Sequence, residues 1–220
     1  MGSIENHGMQ SDAPDVSGGT IRVMVGKQKT EFHVPAGLLR NTSKHFQVVL
    51  GEGWKNCEYR RTELRHHEPN TFEVYVRWLY TRKIWTGNGT SEEEINAELL
   101  VQAKAYILGT DLQDTPFQDT VLDTFARMTR DAEHWPEDDV IQLIWARTRL
   151  NSPFRRLLLH QWVWYGDEDW IDENTPKRFV RDFAEEILVM RDELSETMPF
   201  EKNACLYHVH GDHVQCYKTS

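Results

Sequence analysis

Residues 31–55 read EFHVPAGLLRNTSKHFQVVLGEGWK, and the period of the apolar residues changes inside this stretch. Phe32 and Val34 stand two apart, as side chains on one face of a strand do, whereas the run from Pro35 onward has helical character. Proline suits the first position of a helix because its missing N–H would be unpaired there in any case. The run AGLLRNTSKHFQVVL is expected to form two short helices broken around Asn41, with Ser43 capping the second. Working outward, TIRVMV places Ile21, Val23 and Val25 on one face and Gly26–Lys29 supplies a turn, so residues 20–34 predict a β-hairpin.

Downstream, the turn-rich GEGWKN precedes a third strand in CEYRRTEL, residues 57–64. EPNTFEVYVRWLY then sets Phe72, Tyr75, Val76 and Leu79 at the spacing of a buried helix face. A longer helix opens at Ser91, with Glu94 at capping-box spacing, carries Ile95, Leu99, Ala103, Tyr106 and Ile107 on one stripe, and is expected to end at Gly109. Phe117, Val121, Phe125 and Met128 mark another amphipathic helix. Beyond residue 135, Pro136, Pro153 and Pro176 are each expected at a first helical position, and helical stripes follow them. Five of the eight tryptophans fall between Trp135 and Trp170, a density read as packing between helices in preference to a ligand cage. All strands lie upstream of the helices, so the fold class expected is α+β.

Thirty-five acidic residues against 25 basic ones give a net charge of −10, which repels phosphate backbones and anionic lipid. Neither nucleic acid nor membrane is an expected partner, and the longest apolar run, LLLHQWVWY, is too short to span a bilayer. Three cysteines, Cys57, Cys205 and Cys216, make no disulfide framework and point to a reducing compartment, cytoplasm or nucleus. The sequons at Asn41 and Asn88 are then chance matches. No Gly-rich nucleotide loop, nucleophile elbow or kinase signature occurs, so nothing nominates a nucleophile with its base, and the expectation is no enzyme.

The wording of the front half resembles the BTB (POZ) domain, in particular that of fungal proteins carrying one near the N-terminus. The likeness rests on FHVPAGLLRNTSKHF (32–46), YRRTEL (59–64), PNTFEVYVRWLYTRKI (69–84) and LLVQAKAYILGTDL (99–112), four fragments in the right order and separation. It implies a mixed sheet packed on helical hairpins, used for protein–protein interaction and often homodimeric, without catalysis. His33 would then hydrogen-bond and orient the turn into the first helix. The apolar surface of the hairpin and first helices would be the self-association face. On this reading residues 1–19 are a disordered leader, 20–130 a BTB/POZ-like domain, 131–195 an all-α extension and 196–220 a Cys/His tail.

Some members of that family recruit cullin scaffolds of ubiquitin ligases through a hydrophobic-x-Glu triplet, which falls here on Trp54, Lys55 and Asn56. The aromatic anchor is present, but an amide replaces the carboxylate, a loss of about 1.5–3 kcal/mol for a charge-assisted bond. Leu50–Glu52 would substitute only with a register shift. A cullin adaptor is therefore the alternative to a self-associating interaction module, and a kelch-type receptor is excluded by length.

The tail CLYHVHGDHVQC carries metal-ligand chemistry. Cys205, His208, His213 and Cys216 form a C-x2-H-x4-H-x2-C pattern suited to tetrahedral zinc, with His210 as a spare nitrogen between the halves. A metal-free hairpin with both cysteines in disulfide reach, and a disordered end, are the other readings. A metal-dependent enzyme centred there is a second alternative, weakened because no glutamate follows a histidine at H-E-x-x-H spacing. RHHEP (65–69) reads as a solvated turn, SEEE and PEDD as helix-start carboxylates, and GDEDWIDEN (166–174) as an acidic loop, solvated or docking a basic partner.

Overall fold

Alternation along the first strand decides the centre of the first unit. In the computed structural model, which describes residues 14–51, 61–87, 89–167, 170–190, 198–210 and 216, strands β1 (Thr20–Val25) and β2 (Thr30–Pro35) pair antiparallel. The turn between them uses left-handed backbone at Gly26 (φ 76°) and Lys29 (φ 54°), the first at no cost because glycine lacks Cβ. Strand β3 (Arg61–Leu64) lies parallel to β1, giving the order β2-β1-β3. A parallel return requires a crossover, and the helices α1 (Ala36–Thr42) and α2 (Lys44–Val49) lie within it. Ile21, Val23 and Val25 of the central strand are buried.

The break between α1 and α2 falls at Ser43, two residues after Asn41, and the Phe46 amide donates to Ser43 Oγ over 3.1 Å. Pro35 closes β2 and precedes α1, whose first residue is Ala36. Helix α3 (Pro69–Thr81) buries Phe72, Tyr75, Trp78 and Leu79, so Trp78 takes the place on the stripe expected for the half-buried Val76. Phe32 meets Phe72 edge-on at 5.0 Å, which couples β2 to α3. Arg82, left-handed at φ 54°, ends α3 with its guanidinium 4.5 Å from the Trp78 ring centroid.

Three expectations are corrected in this unit. The side chain of His33 is 62% exposed and its Nε2 lies 2.9 Å from Glu31 Oε1, its neighbour on the same strand face, so it does not orient the turn. Backbone bonds fix that joint: Ala36 N donates to Gly19 O and Gly37 N to Ser17 O, at 2.8 and 2.9 Å. The last residues of the expected leader are thus hydrogen-bonded against the start of α1; residues 1–13 lie outside the described part. The expected apolar face along α1 is also absent among the described residues, because Ala36, Leu38 and Leu39 point into the core and Val48 of α2 is the large apolar side chain left outside.

The chain divides into two compact units, Met1–Arg82 and Lys83–Ser220. Helices α4 (Glu92–Leu112) and α5 (Thr115–Ala132), expected to close the first domain near residue 130, are grouped with the helices that follow. These are α6 (Asp138–Arg147), α7 (Pro153–Tyr165), α8 (Lys177–Met190) and α9 (Pro199–Lys202), followed by a 3-10 turn at Ala204–Tyr207. The capping box of α4 is formed: Glu94 N donates to Ser91 Oγ at 3.2 Å, and Glu94 Oε2 accepts from Ser91 N at 3.4 Å. Ser91→Ala is expected to cost about 1 kcal/mol, read as a lower denaturant midpoint with unchanged slope.

Helix α4 runs through Gly109 to Leu112 and stops at Gln113, left-handed at φ 51°. Gly109 serves packing instead, since a Cβ there would stand 2.7 Å from Gln118 Cγ and 3.0 Å from Phe117 Cδ1 of α5. Of the three prolines, Pro153 alone opens its helix; Pro136 precedes the Glu137 cap of α6 and Pro176 immediately precedes α8. Tyr106 and Phe125 both meet Phe154 edge-on, at 5.0 and 4.6 Å, and Trp145 and Trp162 both pack on Phe179, at 4.9 and 4.6 Å. These contacts tie α4, α5 and α8 to α7, and α6 to α8. No described helix is long and apolar enough to cross a membrane.

Candidate metal centre

Helix α5 is buried on both sides. Its apolar stripe contains Phe117, Val121 and Phe125, yet Asp119 and Asp123, one turn apart on another face, are 1% and 2% exposed. Burying carboxylates demands partners, and the C-terminal segment provides them. Val209 N donates to Asp119 Oδ1 at 2.6 Å, and His208 Nε2 lies 3.1 Å from Asp123 Oδ1. Burial pushes the Asp119 carboxyl up from its ordinary pKa, opposed by the Val209 amide and the nearby histidines.

The segment is anchored a residue earlier by Tyr207, whose ring is fully buried beneath Arg156, 5.5 Å from the guanidinium carbon. Arg156 also donates to the Leu206 carbonyl. The Tyr207 hydroxyl meets His160 Nδ1 at 2.5 Å, and His160 Nε2 meets Glu186 Oε1 at 2.9 Å. Burial pushes the Tyr207 hydroxyl up, so it remains a donor at neutral pH. Nδ1 of His160 accepts, and Nε2–H donates to Glu186.

Burial depresses the pKa of His160 below its ordinary 6.5, outweighing the Glu186 carboxylate. The sign follows: the unfolded chain binds the extra proton, so the stability that neutral His160 confers is complete above the unfolded value and is lost as pH falls through the folded one. In chelator-treated protein the unfolding midpoint is expected to fall between about pH 7 and pH 5, and His160→Gln to flatten that fall. Differential scanning calorimetry across the range measures both.

With Nε2 of His208 directed at Asp123, its Nδ1 faces the other way. There it lies 3.1 Å from His210 Nε2 and 3.5 Å from Cys216 Sγ. One ligand atom each from Cys205, His208, His210 and Cys216 fall within 4.8 Å of one another. A tetrahedral ion with Zn–N near 2.0 Å and Zn–S near 2.3 Å has ligand-to-ligand edges of about 3.3–3.8 Å, so this cluster is already close to the required size. Two imidazole nitrogens and two sulfurs are a borderline-soft donor set. The Asp123–His208 pair supplies the carboxylate that characteristically fixes the tautomer of a metal-bound histidine. The cluster could therefore hold a metal ion, and its four protein donors fill a tetrahedral shell, as in structural rather than catalytic sites.

Of the ligands expected from the sequence, Cys205, His208 and Cys216 are brought together; His210, read there as a spare nitrogen, joins them. His213 lies outside the described residues, as do Trp54, Lys55 and Asn56 of the cullin-type triplet. Both cysteines carry thiols rather than a shared disulfide, and the described tail forms α9 and a 3-10 turn in place of a strand pair. The supports Asp119, Asp123, His160 and Glu186 escaped the sequence reading. The available signal was two aspartates four residues apart, interleaved with the apolar stripe of the helix. Compared with protein-family models and with curated proteins, the chain finds no match.

Proposed function

We propose that this chain is a protein-binding module of BTB type that works by contact rather than turnover, self-associating and recruiting a partner protein. The observation carrying this reading is the element order in residues 20–81: hairpin, paired short helices, parallel return strand and covering helix, the arrangement that the sequence likeness implies. Among the described residues the outer strands are β2 and β3, and these edges are the proposed sites for pairing with a second copy. A structural zinc ion bound by Cys205, His208, His210 and Cys216 secures the C-terminal segment to α5; support for it comes from the ligand spacing and the Asp123–His208 contact.

Sedimentation at tens of micromolar is expected to give twice the chain mass of 25.9 kDa. A single-chain mass throughout that range overturns self-association. Affinity capture with the intact chain, compared with a chain carrying charged substitutions on β2 and β3, assigns any partner to those edges. Native mass spectrometry is expected to show one zinc per chain, removed by chelator; a zinc-free chain after reconstitution overturns the metal reading.

A further inference from the structure

Trp135, Trp162 and Trp170 frame a cleft of about 580 Å³ between the α5–α6 connection, α7 and the loop before α8. Trp162 and Trp170 meet edge-to-face at 5.3 Å, and Trp135 is tilted against Trp170 at 6.0 Å. Tyr165 stacks on Trp135 at 4.4 Å, fixing its plane from one side. Among the described lining residues are Glu92, Glu133, Glu137, Asp138 and Asp172, and no lysine or arginine.

Acidic residues alone would make a solvated rim, but two further observations point to an absent partner. Trp162 is 5% exposed, lines the cleft, and its Nε1–H has no hydrogen-bond partner, although buried indole donors normally find an acceptor. His134 Nε2, on the same lining, is likewise buried without one. The carboxylates are also crowded: Asp138 is pushed up by burial and then by Asp172 and Asp139, while Asp172 is held ionised by the amides of Asn174 and Thr175. A cation in the cleft would relieve that crowding.

We propose that this aromatic–acidic cleft binds an arginine side chain of a partner peptide. A guanidinium is planar and weakly hydrated, stacks on indole faces, and donates in a fork to carboxylates. The volume lies in the range of ordinary ligand sites. The site lies wholly within residues 83–220 and stands whether or not the chain self-associates.

The probe is acetyl-Gly-Arg-Gly-amide titrated into the full-length chain, followed by tryptophan fluorescence and by the indole N–H signals in NMR. Saturable shifts at the cleft indoles are expected. The citrulline peptide, isosteric but uncharged, is expected to bind at least 10-fold more weakly, and the lysine peptide several-fold more weakly. Trp170→Ala and Asp172→Asn are each expected to weaken binding 5-fold or more. Glu137→Gln keeps the indoles intact should Trp170→Ala fail to fold, and is expected to weaken binding at least 2-fold. Equal affinity for arginine and citrulline peptides, tighter binding of trimethyl-lysine, or shifts confined to tryptophans outside the cleft overturns the proposal.

Discussion

On the proposed zinc site, replacing His208 with alanine is expected to take the zinc content from one ion per chain to none and to release the C-terminal segment. Three effects act together. The metal loses a donor, Asp123 loses the imidazole at 3.1 Å while remaining buried, and the His210 and Cys216 contacts to Nδ1 vanish. A hydrogen bond to a buried carboxylate contributes about 1.5–3 kcal/mol. Zinc at 100 times its dissociation constant adds about 2.7 kcal/mol to the folded state, which the variant forgoes. The check is metal content by native mass together with limited proteolysis, where cleavage is expected to move into residues 198–216. Asp123→Asn separates the causes, because an amide retains the shape and removes the charge behind the histidine. Zinc affinity is expected to fall about 10- to 100-fold with the segment still bound at saturating metal. Unchanged affinity would show that Asp123 does not orient His208.

The second large effect is expected at Arg155, which is 8% exposed inside the helical unit. Its Nη2 donates to the carbonyls of Trp145 and Thr148 at 2.6 and 2.7 Å, and its Nε to Thr148 Oγ1 at 3.0 Å. Its Nη1 is 3.9 Å from Asp182, which also accepts from Trp145 Nε1 at 2.8 Å. This one planar group closes the end of α6 and neutralises a carboxylate of α8. Arg155→Met retains the aliphatic stem but leaves the carbonyls unpaired, while Asp182 keeps Arg181 at 3.1 Å and the Trp145 indole, so the expected cost is that of the buried carbonyls, about 1–3 kcal/mol. At about 2–4 °C per kcal/mol the thermal midpoint is expected to fall by roughly 2–12 °C. Arg155→Lys is expected to recover only part, because a single ammonium cannot span the fork. Calorimetry decides: a loss below about 1 kcal/mol would mean that the pair contributes little beyond its packing.

Local chemistry was legible where the cause is local. The alternation of Ile21, Val23 and Val25 gave the hairpin, and the Ser91–Glu94 spacing gave the start of α4, because each depends on neighbours within a few residues. Gly109 misled for the same reason: a glycine near the end of an apolar run reads as a helix stop, whereas its role is set by Phe117 and Gln118 on the next helix. Asp119 and Asp123 misled more deeply. Between Phe117, Val121 and Phe125 they look like the wet side of an amphipathic helix, and their covering residues lie 90 and 85 positions further along the chain. The Cys/His spacing nominated the tail as a cluster able to hold a metal ion but could not rank His210 against its neighbours, since several nitrogens within a few residues all satisfy a short-loop pattern. The tryptophan density announced packing, and Trp145 and Trp162 do pack. The cleft that Trp162 shares with Trp135, Trp170 and the acidic loop depends on how α7 approaches the α5–α6 connection.

The covered face of α5 also sets an order of events during synthesis. Residues 119 and 123 leave the ribosome long before residues 208 and 209, so on the nascent chain both aspartates remain hydrated and charged while the helices around them assemble. That side of the helix becomes dry only when residues 208 and 209 arrive and fold back. A transcript cut short ahead of Tyr207 would yield a helical unit with an exposed anionic groove where the finished protein has an interior.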